Sequence, residues 1–328
     1  MTDDPKQVCS NKGASGVDGM QTDELHDFMS THWSTFKEEL LSGTYQPKCS
    51  EKSGDTQTTR WNKNAWDTNS KRPTHPTRNI TMDGRDIGTN FHENSYGFRP
   101  NKSAHQAVLQ AQKYLNTGYT YVVEIDLAKF FDVVNHDKLM SLLSRKITDK
   151  RTLKLIGKYL RSGIMVDGVI SQRLAGTPQG SPLSPLLSNI ILHELDVELT
   201  KRGLRFVRYA DDCSIYVKSS KAASRVMSSI TKYIEEDLIL QVNHEKSKIS
   251  RPVKSTLLGF SFYKTKKAWR IRIAEKPLEK IKGTIRKRLS RNTAQQVETK
   301  MRELSGSNYW VGSILSNSRP EKLVYETR

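Results

Sequence analysis

The feature that most constrains the fold is an apolar segment, Phe206 to Val217, which two adjacent acidic residues, Asp211 and Asp212, interrupt in its middle. Apolar runs on both sides of a short polar break predict two strands joined by a tight hairpin turn. A second apolar run, Tyr121 to Leu127, predicts a buried strand that carries Asp126 near its end. Because strand ends meet in a sheet, we expect these three carboxylates to lie close together.

Two helices are predicted around these strands. An i, i+4 stripe of apolar residues from Leu187 to Leu199 ends before Gly203, a residue type that is common just after helices. A second stripe runs from Ala223 to Ile234. Helices interleaved with hairpin strands are typical of an α+β lobe with its helices on one face of an antiparallel sheet.

The charge of the chain indicates a polyanionic partner. Its 328 residues include 53 Lys+Arg and 35 Asp+Glu, a net charge of +18, which favours nucleic acid ahead of a membrane surface. More than half of the excess lies between Lys264 and Arg302, where Ile281, Ile285 and Leu289 recur at helical spacing. The pattern predicts a basic amphipathic helix that contacts phosphates, with a solvated surface helix as the alternative. Its basic residues are Lys280, Lys282, Arg286, Lys287, Arg288 and Arg291.

Cysteine content and hydropathy exclude other classes of protein. Cys9, Cys49 and Cys213 are too few for a disulfide framework. No apolar run approaches the length of a membrane span, and the first residues do not form a signal peptide. We therefore expect a cytoplasmic protein with free thiols and no membrane partner.

Asp126, Asp211 and Asp212 are the first candidates for catalysis. Three converging carboxylates with no basic residue beside them in the sequence repel one another, and bound cations relieve that repulsion. Carboxylate oxygens select hard ions such as Mg²⁺ or Mn²⁺. Two such ions about 4 Å apart stabilise the attacking and leaving oxygens of a phosphoryl displacement. For any single one of these residues, a role in a turn or a cap is the plainer alternative.

A Gly- and Pro-rich element, Gly176 to Asn189, lies between the acidic segments. Gly176 and Gly180 allow the backbone to approach a ligand closely, and the first predicted helix begins within the element. Gln179 is then placed to face an incoming nucleotide. A loop that only caps the helix is the structural alternative.

Taken together, these segments resemble the reverse transcriptase/maturase that group II introns encode. The matching motifs, in the family's order, are Asn11–Gly19, Glu93–Pro100, Glu124–Asp132 with His136, Gly176–Gly180, Tyr209–Asp212 and Leu258–Phe260. The resemblance covers roughly residues 8–48 and 92–304. It implies an α+β right-hand polymerase with fingers in residues 1–115, an antiparallel-sheet palm in 116–263, and a basic helical thumb with the start of a maturase region in 264–328.

The resemblance also implies roles for single residues. Asp126, Asp211 and Asp212 would bind two Mg²⁺ (or Mn²⁺) ions. The nucleotide site would include Phe131, which rejects a ribose 2′-hydroxyl, together with Gln179 and Gly180. The primer grip would consist of Leu258, Gly259 and Phe260, and Arg99 and Lys102 would contact the template backbone. The basic helix would bind nucleic acid, including intron RNA.

The function expected from the resemblance is RNA-directed DNA synthesis, in which a primer 3′-hydroxyl attacks the α-phosphate of a dNTP and pyrophosphate leaves. The partners would be an RNA template with a DNA primer, dNTPs and group II intron RNA, with roles in splicing and mobility. A non-catalytic intron-RNA-binding splicing factor and an inactive remnant of a mobile element are the alternatives. A reverse transcriptase of another bacterial lineage and an RNA-dependent RNA polymerase are further candidates, and Phe131 disfavours the latter.

Residues 49–91 depart from the rest of the chain. They contain 8 hydrophobic residues in 43, no Leu and no Val, at the place where the family has fingers strands with triphosphate-gripping basic residues. Codons can be chosen for residues 48–74 and 88–91 that, read one base later, give a fingers-like sequence. We therefore hypothesise two compensating frameshifts, and a third near residue 317 that shortens the chain. As written, the segment is expected to be disordered and polymerase activity to be weak or absent.

Overall fold

The computed structural model describes residues 24–47, 50–51, 81–82, 85–86, 91–166, 169–171, 175–177 and 183–288. These residues form two compact units that divide between Ser250 and Arg251. From the sequence, the last region, the basic thumb, was predicted to begin at residue 264. Most of residues 49–91, where disorder is expected, and the tail after residue 288 lie outside the described residues.

A four-stranded antiparallel sheet forms the centre of the first unit. Its strands are β4 (Tyr121–Ile125), β7 (Arg205–Tyr209), β8 (Asp212–Val217) and β9 (Lys248–Ser250), in the order β7-β8-β4-β9. The register pairs Val123 with Ile215 and closes the β7–β8 turn at Tyr209 and Asp212. The predicted hairpin and the predicted buried strand are therefore both present.

The described part of the first unit also contains helices. They are α1 (Leu25–Ser42), α2 (Ala104–Asn116), α3 (Phe130–Val133), α4 (His136–Ser144), α5 (Lys150–Arg161), α6 (Ser184–Lys201) and α7 (Ser220–Lys232), the last of which continues into a π-helix (Tyr233–Asp237). Helices α6 and α7 match the two predicted stripes. Helix α2 begins with a capping box in which the Ser103 side chain accepts the Gln106 N–H and the Gln106 side chain accepts the Ser103 N–H.

The main core lies between one face of the sheet and helices α6 and α7. Val123 and Ile215 from the strands pack there with Leu187, Leu195 and Ile230 from the helices, all at most 1% exposed. The prediction that helices cover only one face was wrong, because Tyr114 of α2 packs against Tyr216, with ring centroids 5.4 Å apart. Tyr216 lies on the opposite face, since side chains alternate along a strand. The α+β class itself is confirmed.

Shorter strands complete the described part of the first unit. β1 (Ser50–Glu51) pairs in parallel with β5 (Ile164–Val166), which pairs with β6 (Val169–Ser171) in antiparallel fashion. β2 (Thr81–Met82) and β3 (Arg85–Asp86) form a two-stranded antiparallel sheet.

The second unit begins with strands, the last of which lies beyond residue 264, in the region where a helical thumb was expected. A 3₁₀-helix (Pro252–Lys254) leads into β10 (Thr256–Leu257), β11 (Phe260–Lys264) and β12 (Trp269–Ile273), which form one antiparallel sheet. Helix α8 (Glu275–Arg288) follows and contains the predicted basic helix as far as it is described. In the described parts of the chain, no helix combines the length and the apolar character that crossing a membrane requires.

Candidate active site

The strand register places two of the three candidate acidic residues at the same end of one strand pair. Ile125 of β4 pairs with Cys213 of β8 as the last pair of the ladder, and continuing this register by one residue sets Asp126 opposite Asp212 at the same end of the sheet. In an antiparallel sheet, opposite residues point to the same face. Asp211 lies in the two-residue turn just before β8. All three acidic residues thus occupy one end of the β4–β8 pair.

Asp126 is held by the segment that leads into β9. Its N–H donates to Ser247 Oγ at 3.1 Å, and its carbonyl accepts the N–H of Asn243 at 2.8 Å. Lys246 places its Nζ 4.0 Å from Asp126 Oδ1, with the Asp126 side chain 34% exposed. The expectation that the acidic residues have no basic neighbour was therefore incomplete, because Lys246 comes from a segment 120 positions later in the chain.

The chemistry of these residues fits a hard divalent cation, since Asp126 and Asp212 present carboxylates from opposite positions. Their arrangement is not closed around an ion. Within the described ranges, no three Asp, Glu, His or Cys side chains form a group that could hold a metal. Asp126, Asp211 and Asp212 therefore remain the predicted ligands, and binding would have to draw their carboxylates together.

Phe131 lies five residues after Asp126, on the single helical turn α3. Lys129 precedes this turn with a left-handed φ of +46°, and the Asp132 N–H donates to the Lys129 carbonyl at 2.7 Å. The Phe131 ring is partly buried against the core and contacts the Phe130 ring edge-on, with centroids 5.2 Å apart. The sharp turn thus sets the position of the Phe131 ring relative to the strand that leads to Asp126.

The start of the Gly-rich element is fixed to the same turn. Thr177 N–H donates to the Phe131 carbonyl at 2.7 Å and Gly176 N–H to the Val134 carbonyl at 2.8 Å. His136 Nε2 lies 2.6 Å from the Gly176 carbonyl; a carbonyl only accepts, so this nitrogen carries the proton. Gln179 and Gly180 lie outside the described residues. The anchoring role of His136 was not predicted from the sequence.

Gly176→Ala is expected to lower the free energy of unfolding by about 3 kcal/mol, from left-handed strain plus overpacking. Gly176 has φ +86°, and a Cβ there would lie 2.6 Å from the Phe131 carbonyl oxygen. Gly203→Ala is the control, because Gly203 has φ +68° but nothing within 4 Å of the added Cβ, which leaves about 1 kcal/mol of strain. Urea unfolding measures both variants, and equal losses would contradict the close packing.

The two predicted template contacts, Arg99 and Lys102, are engaged within their own segment. Arg99 Nη1 donates to the carbonyls of His92 at 2.5 Å and Ser95 at 2.9 Å, and Lys102 Nζ donates to the Glu93 carbonyl at 2.9 Å. Partial burial lowers the pKa of both side chains. These cations stabilise the fold of residues 92–95, and their contact with template remains a prediction.

The predicted primer grip forms the turn between β10 and β11 in the second unit. Leu257 pairs with Phe260, which leaves Leu258 and Gly259 as a two-residue connection. Both have positive φ, +53° and +82°, as type I′ hairpin turns require. The Ala274 N–H donates to the Gly259 carbonyl at 2.9 Å, which ties the turn to the start of α8. Phe260 is buried.

The basic residues of the second unit are only partly described. The side chains of Lys280, Lys282 and Arg286 on α8 are exposed. Lys287 and Arg288 belong to α8, but their side chains, like the whole of Arg291, lie outside the described residues. β12 adds Arg270 and Arg272, which are exposed and alternate with the partly buried Trp269, Ile271 and Ile273.

Strained backbone marks the motif segments. Among the described residues, six non-glycine residues have positive φ, and four of them lie inside the quoted motifs: Phe98, Lys129, Ala210 and Leu258. A left-handed conformation costs a residue with a side chain about 1–2 kcal/mol. Such strain persists only where the surrounding structure enforces it, and it is concentrated at functional sites.

Comparisons with known proteins identify the family of the chain. The sequence pattern of the family described as "Reverse transcriptase (RNA-dependent DNA polymerase)" matches residues 66–262. Protein YkfC of Escherichia coli is 31% identical over 281 residues, covering 73% of this chain and 74% of YkfC. The group II intron-encoded protein LtrA of Lactococcus lactis is 38% identical over 118 residues, covering 36% of this chain and 20% of LtrA. An apo telomerase structure from Candida tropicalis aligns over 56% of this chain and 41% of that chain, with 14% identity and a TM-score of 0.45.

Proposed function

Because the chain belongs to the reverse transcriptase family, among those that group II introns encode, we propose that Asp126, Asp211 and Asp212 form its polymerase active site. The single observation that carries this proposal is the register that sets Asp126 opposite Asp212, with Asp211 in the adjoining turn. The reaction would be RNA-directed DNA synthesis. The primer 3′-hydroxyl forms a bond to the α-phosphorus of a dNTP, the bond to the β-phosphate oxygen breaks, and pyrophosphate leaves.

The family generally uses divalent metals, and the proposed ligands are the carboxylates of Asp126, Asp211 and Asp212. Two divalent cations, when bound, stabilise the attacking and leaving oxygens of the displacement. The chain's own part is to place negative charge at one end of the β4–β8 pair. Lys246 supplies a positive charge beside Asp126, which reduces the repulsion between the carboxylates before a cation binds.

The proposed nucleotide site adjoins this end of the sheet through Phe131. Thr177 and Gly176 bind the backbone of residues 131–134, so the described start of the Gly-rich element is fixed to the Phe131 turn two residues before Gln179 in the sequence. This connection supports the prediction that Phe131 and Gln179 contact the same nucleotide. Phe131 would select deoxyribose by occupying the space that a ribose 2′-hydroxyl requires.

Phe131→Ala is expected to raise the incorporation of ribonucleotides relative to deoxyribonucleotides by about tenfold or more, as a steric pocket is worth roughly that much discrimination. Single-nucleotide extension of a DNA primer on an RNA template, with dGTP or GTP opposite cytosine, measures the ratio. Phe131→Tyr is the matched control, because it keeps the ring and should keep the preference. An unchanged ratio in Phe131→Ala would remove Phe131 from the nucleotide site.

Lys246→Gln is expected to tighten Mn²⁺ binding by at most about fivefold, since two unit charges 4 Å apart in water interact by about 1 kcal/mol. The Nζ of Lys246 lies 4.0 Å from Asp126 Oδ1, so its positive charge competes with a cation for this carboxylate. Titration of free Mn²⁺ by electron paramagnetic resonance measures the affinity. Lys232→Gln removes a comparable exposed pair with Glu236 at 3.7 Å and should leave the affinity unchanged. Weaker binding in Lys246→Gln would show that Lys246 does not compete with the metal.

The proposed partners are an RNA template with a DNA primer, dNTPs and group II intron RNA, with roles in splicing and mobility. The net charge of +18 and the exposed basic side chains of α8 support a nucleic-acid partner. The name of LtrA supports intron RNA in particular.

The alternative function is a non-catalytic intron-RNA-binding splicing factor, or an inactive remnant of a mobile element. One observation favours it, namely that within the described residues no group of three side chains is closed around a metal position. Primer extension on an RNA template with Mg²⁺ separates these functions. An RNA-binding chain that neither extends the primer nor binds Mn²⁺ through Asp126 would establish the alternative.

A further inference from the structure

A fully buried arginine lies directly behind the proposed catalytic turn. Arg208 is the fourth residue of β7, and its side chain and that of Asp196 on α6 are both 0% exposed. Arg208 Nε donates to Asp196 Oδ1 at 2.7 Å, and Nη2 donates to Oδ2 at 2.6 Å. This is a bidentate pair, the strongest geometry between a guanidinium and a carboxylate.

The other donors of Arg208 are also used. Nη1 donates to Asn189 Oδ1 at 3.0 Å and to the Ala210 carbonyl at 2.9 Å, and Nη2 also donates to Ser95 Oγ at 2.7 Å. A guanidinium has five N–H donors, so each of them has a partner. One side chain thereby joins helix α6, the segment around Ser95 and the turn that carries Asp211.

Backbone contacts hold the same three segments together. The Tyr96 N–H donates to the Arg208 carbonyl at 2.8 Å, and the Arg208 N–H donates to the Asn94 carbonyl at 2.9 Å. Asn189 Nδ2 donates to the Gly97 carbonyl at 3.0 Å. A Cβ on Gly97 would lie 2.2 Å from the Ala210 nitrogen, so the segment at Gly97 lies directly against the turn.

We propose that Arg208, oriented by Asp196, is a positioning residue that sets the conformation of the turn carrying Asp211 and Asp212. Ala210 has a left-handed φ of +55°, and Arg208 bonds its carbonyl, the one that links it to Asp211. Arg208 acts on the carboxylates through this peptide and has no role in contact with substrate. The proposal rests on the polymerase function proposed for those carboxylates.

Stability alone does not account for this arrangement. Replacing a buried ion pair by apolar residues of similar volume is often neutral or stabilising, so the pair is not needed to fill the core. An apolar side chain cannot donate to Ala210, Asn189 and Ser95 at once. The directional bonds therefore specify one conformation of the turn, and metal affinity should depend on them.

The test compares Arg208→Lys with Arg205→Lys, an exposed residue of the same strand. Lysine keeps a positive charge facing Asp196, but it lacks the forked guanidinium group that also reaches Ala210, Asn189 and Ser95. The apparent Mn²⁺ affinity, measured by electron paramagnetic resonance, falls in proportion to the folded fraction, so each variant's affinity is corrected for the folded fraction that urea unfolding gives. Arg208→Lys is expected to weaken Mn²⁺ binding by about tenfold or more, the usual effect of losing the support behind a metal ligand. Arg205→Lys is expected to leave it unchanged.

A second measurement reports on the turn without metal. Cys213 follows Asp212 and is 3% exposed, and burial raises the pKa of its thiol to about 12. In a Cys9→Ser, Cys49→Ser background it is the single thiol, so its labelling by a maleimide reports opening of the hairpin. Arg208→Lys should speed labelling at least tenfold more than its change in global unfolding equilibrium accounts for.

The outcomes separate the positioning role from the proposed function. If Arg208→Lys is less stable but binds Mn²⁺ and labels Cys213 as its global stability predicts, Arg208 has only a structural role and the proposal is wrong. If Mn²⁺ binding by the unsubstituted chain is weak and insensitive to Asp212→Asn, the proposed function fails at this site. The Cys213 labelling rate then decides on the positioning role alone.

Discussion

Asp212→Asn is expected to slow RNA-templated primer extension by about a thousandfold, the upper range for losing one electrostatic group aimed at a phosphoryl transition state. Asp212 lies opposite Asp126 at the end of the β4–β8 pair, so its carboxylate is central to the proposed cation site. The substitution keeps the shape of the side chain and removes its charge. Single-turnover extension of a labelled DNA primer at saturating Mg²⁺ measures the rate.

The control for this change is Asp237→Asn, which removes one charge from an exposed residue at the end of the π-helix. It should extend the primer at the unsubstituted rate, which excludes an effect of net charge on nucleic-acid binding. A rate for Asp212→Asn within threefold of the control would contradict the assignment of the active site.

Arg208→Met is expected to lower the free energy of unfolding by about 3–5 kcal/mol, the usual cost of removing one partner from a buried ion pair. The Asp196 carboxylate, with a fully buried side chain, would then have lost its guanidinium. Urea unfolding followed by far-ultraviolet circular dichroism measures the change. Adding Asp196→Leu should recover part of the loss, because no buried charge then remains uncompensated.

The matched control for Arg208→Met is Arg202→Met. Arg202 Nε lies 2.8 Å from Glu198 Oε1, but both side chains are partly exposed, so the pair contributes no more than about 1 kcal/mol. A similar loss in the two variants would show that burial does not set the importance of the Arg208–Asp196 pair.

Local pattern was sufficient to predict the elements that carry the candidate carboxylates. Asp211 and Asp212 interrupt an apolar run, and the run folds as the β7–β8 hairpin. The i, i+4 stripe from Leu187 to Leu199 folds as α6. These predictions succeed because hydrophobic periodicity is a property of a few neighbouring residues.

Partners distant in sequence were not predictable in this way. Nothing near Asp126 indicates Lys246, and nothing near Arg208 indicates that Ser95 accepts one of its donors. The hydrogen bonds of Arg99 were not predicted for the same reason, since the sequence shows its charge but not the carbonyls that it binds. These contacts depend on the tertiary fold, which single-sequence patterns do not encode directly.

The start of the basic region was misassigned although a signal was present. Trp269, Ile271 and Ile273 alternate with Arg270 and Arg272, which is the period of two that a strand requires. The density of charge was interpreted as a basic helix, whereas residues 269–273 form β12. Only from Glu275 onward does the apolar spacing match the helix that was predicted.

The most direct measurement of the central claim is Mg²⁺-dependent extension of a DNA primer on an RNA template, by the chain as written and by a version with residues 49–91 restored to the fingers-like reading. We expect the restored chain to extend the primer, the chain as written to do so at least tenfold more slowly, and Asp212→Asn to slow extension by about a thousandfold in both. Extension by the chain as written at the restored rate would refute the frameshift hypothesis. Absence of extension by the restored chain, or extension at an undiminished rate in Asp212→Asn, would contradict the reverse transcriptase active site proposed for Asp126, Asp211 and Asp212.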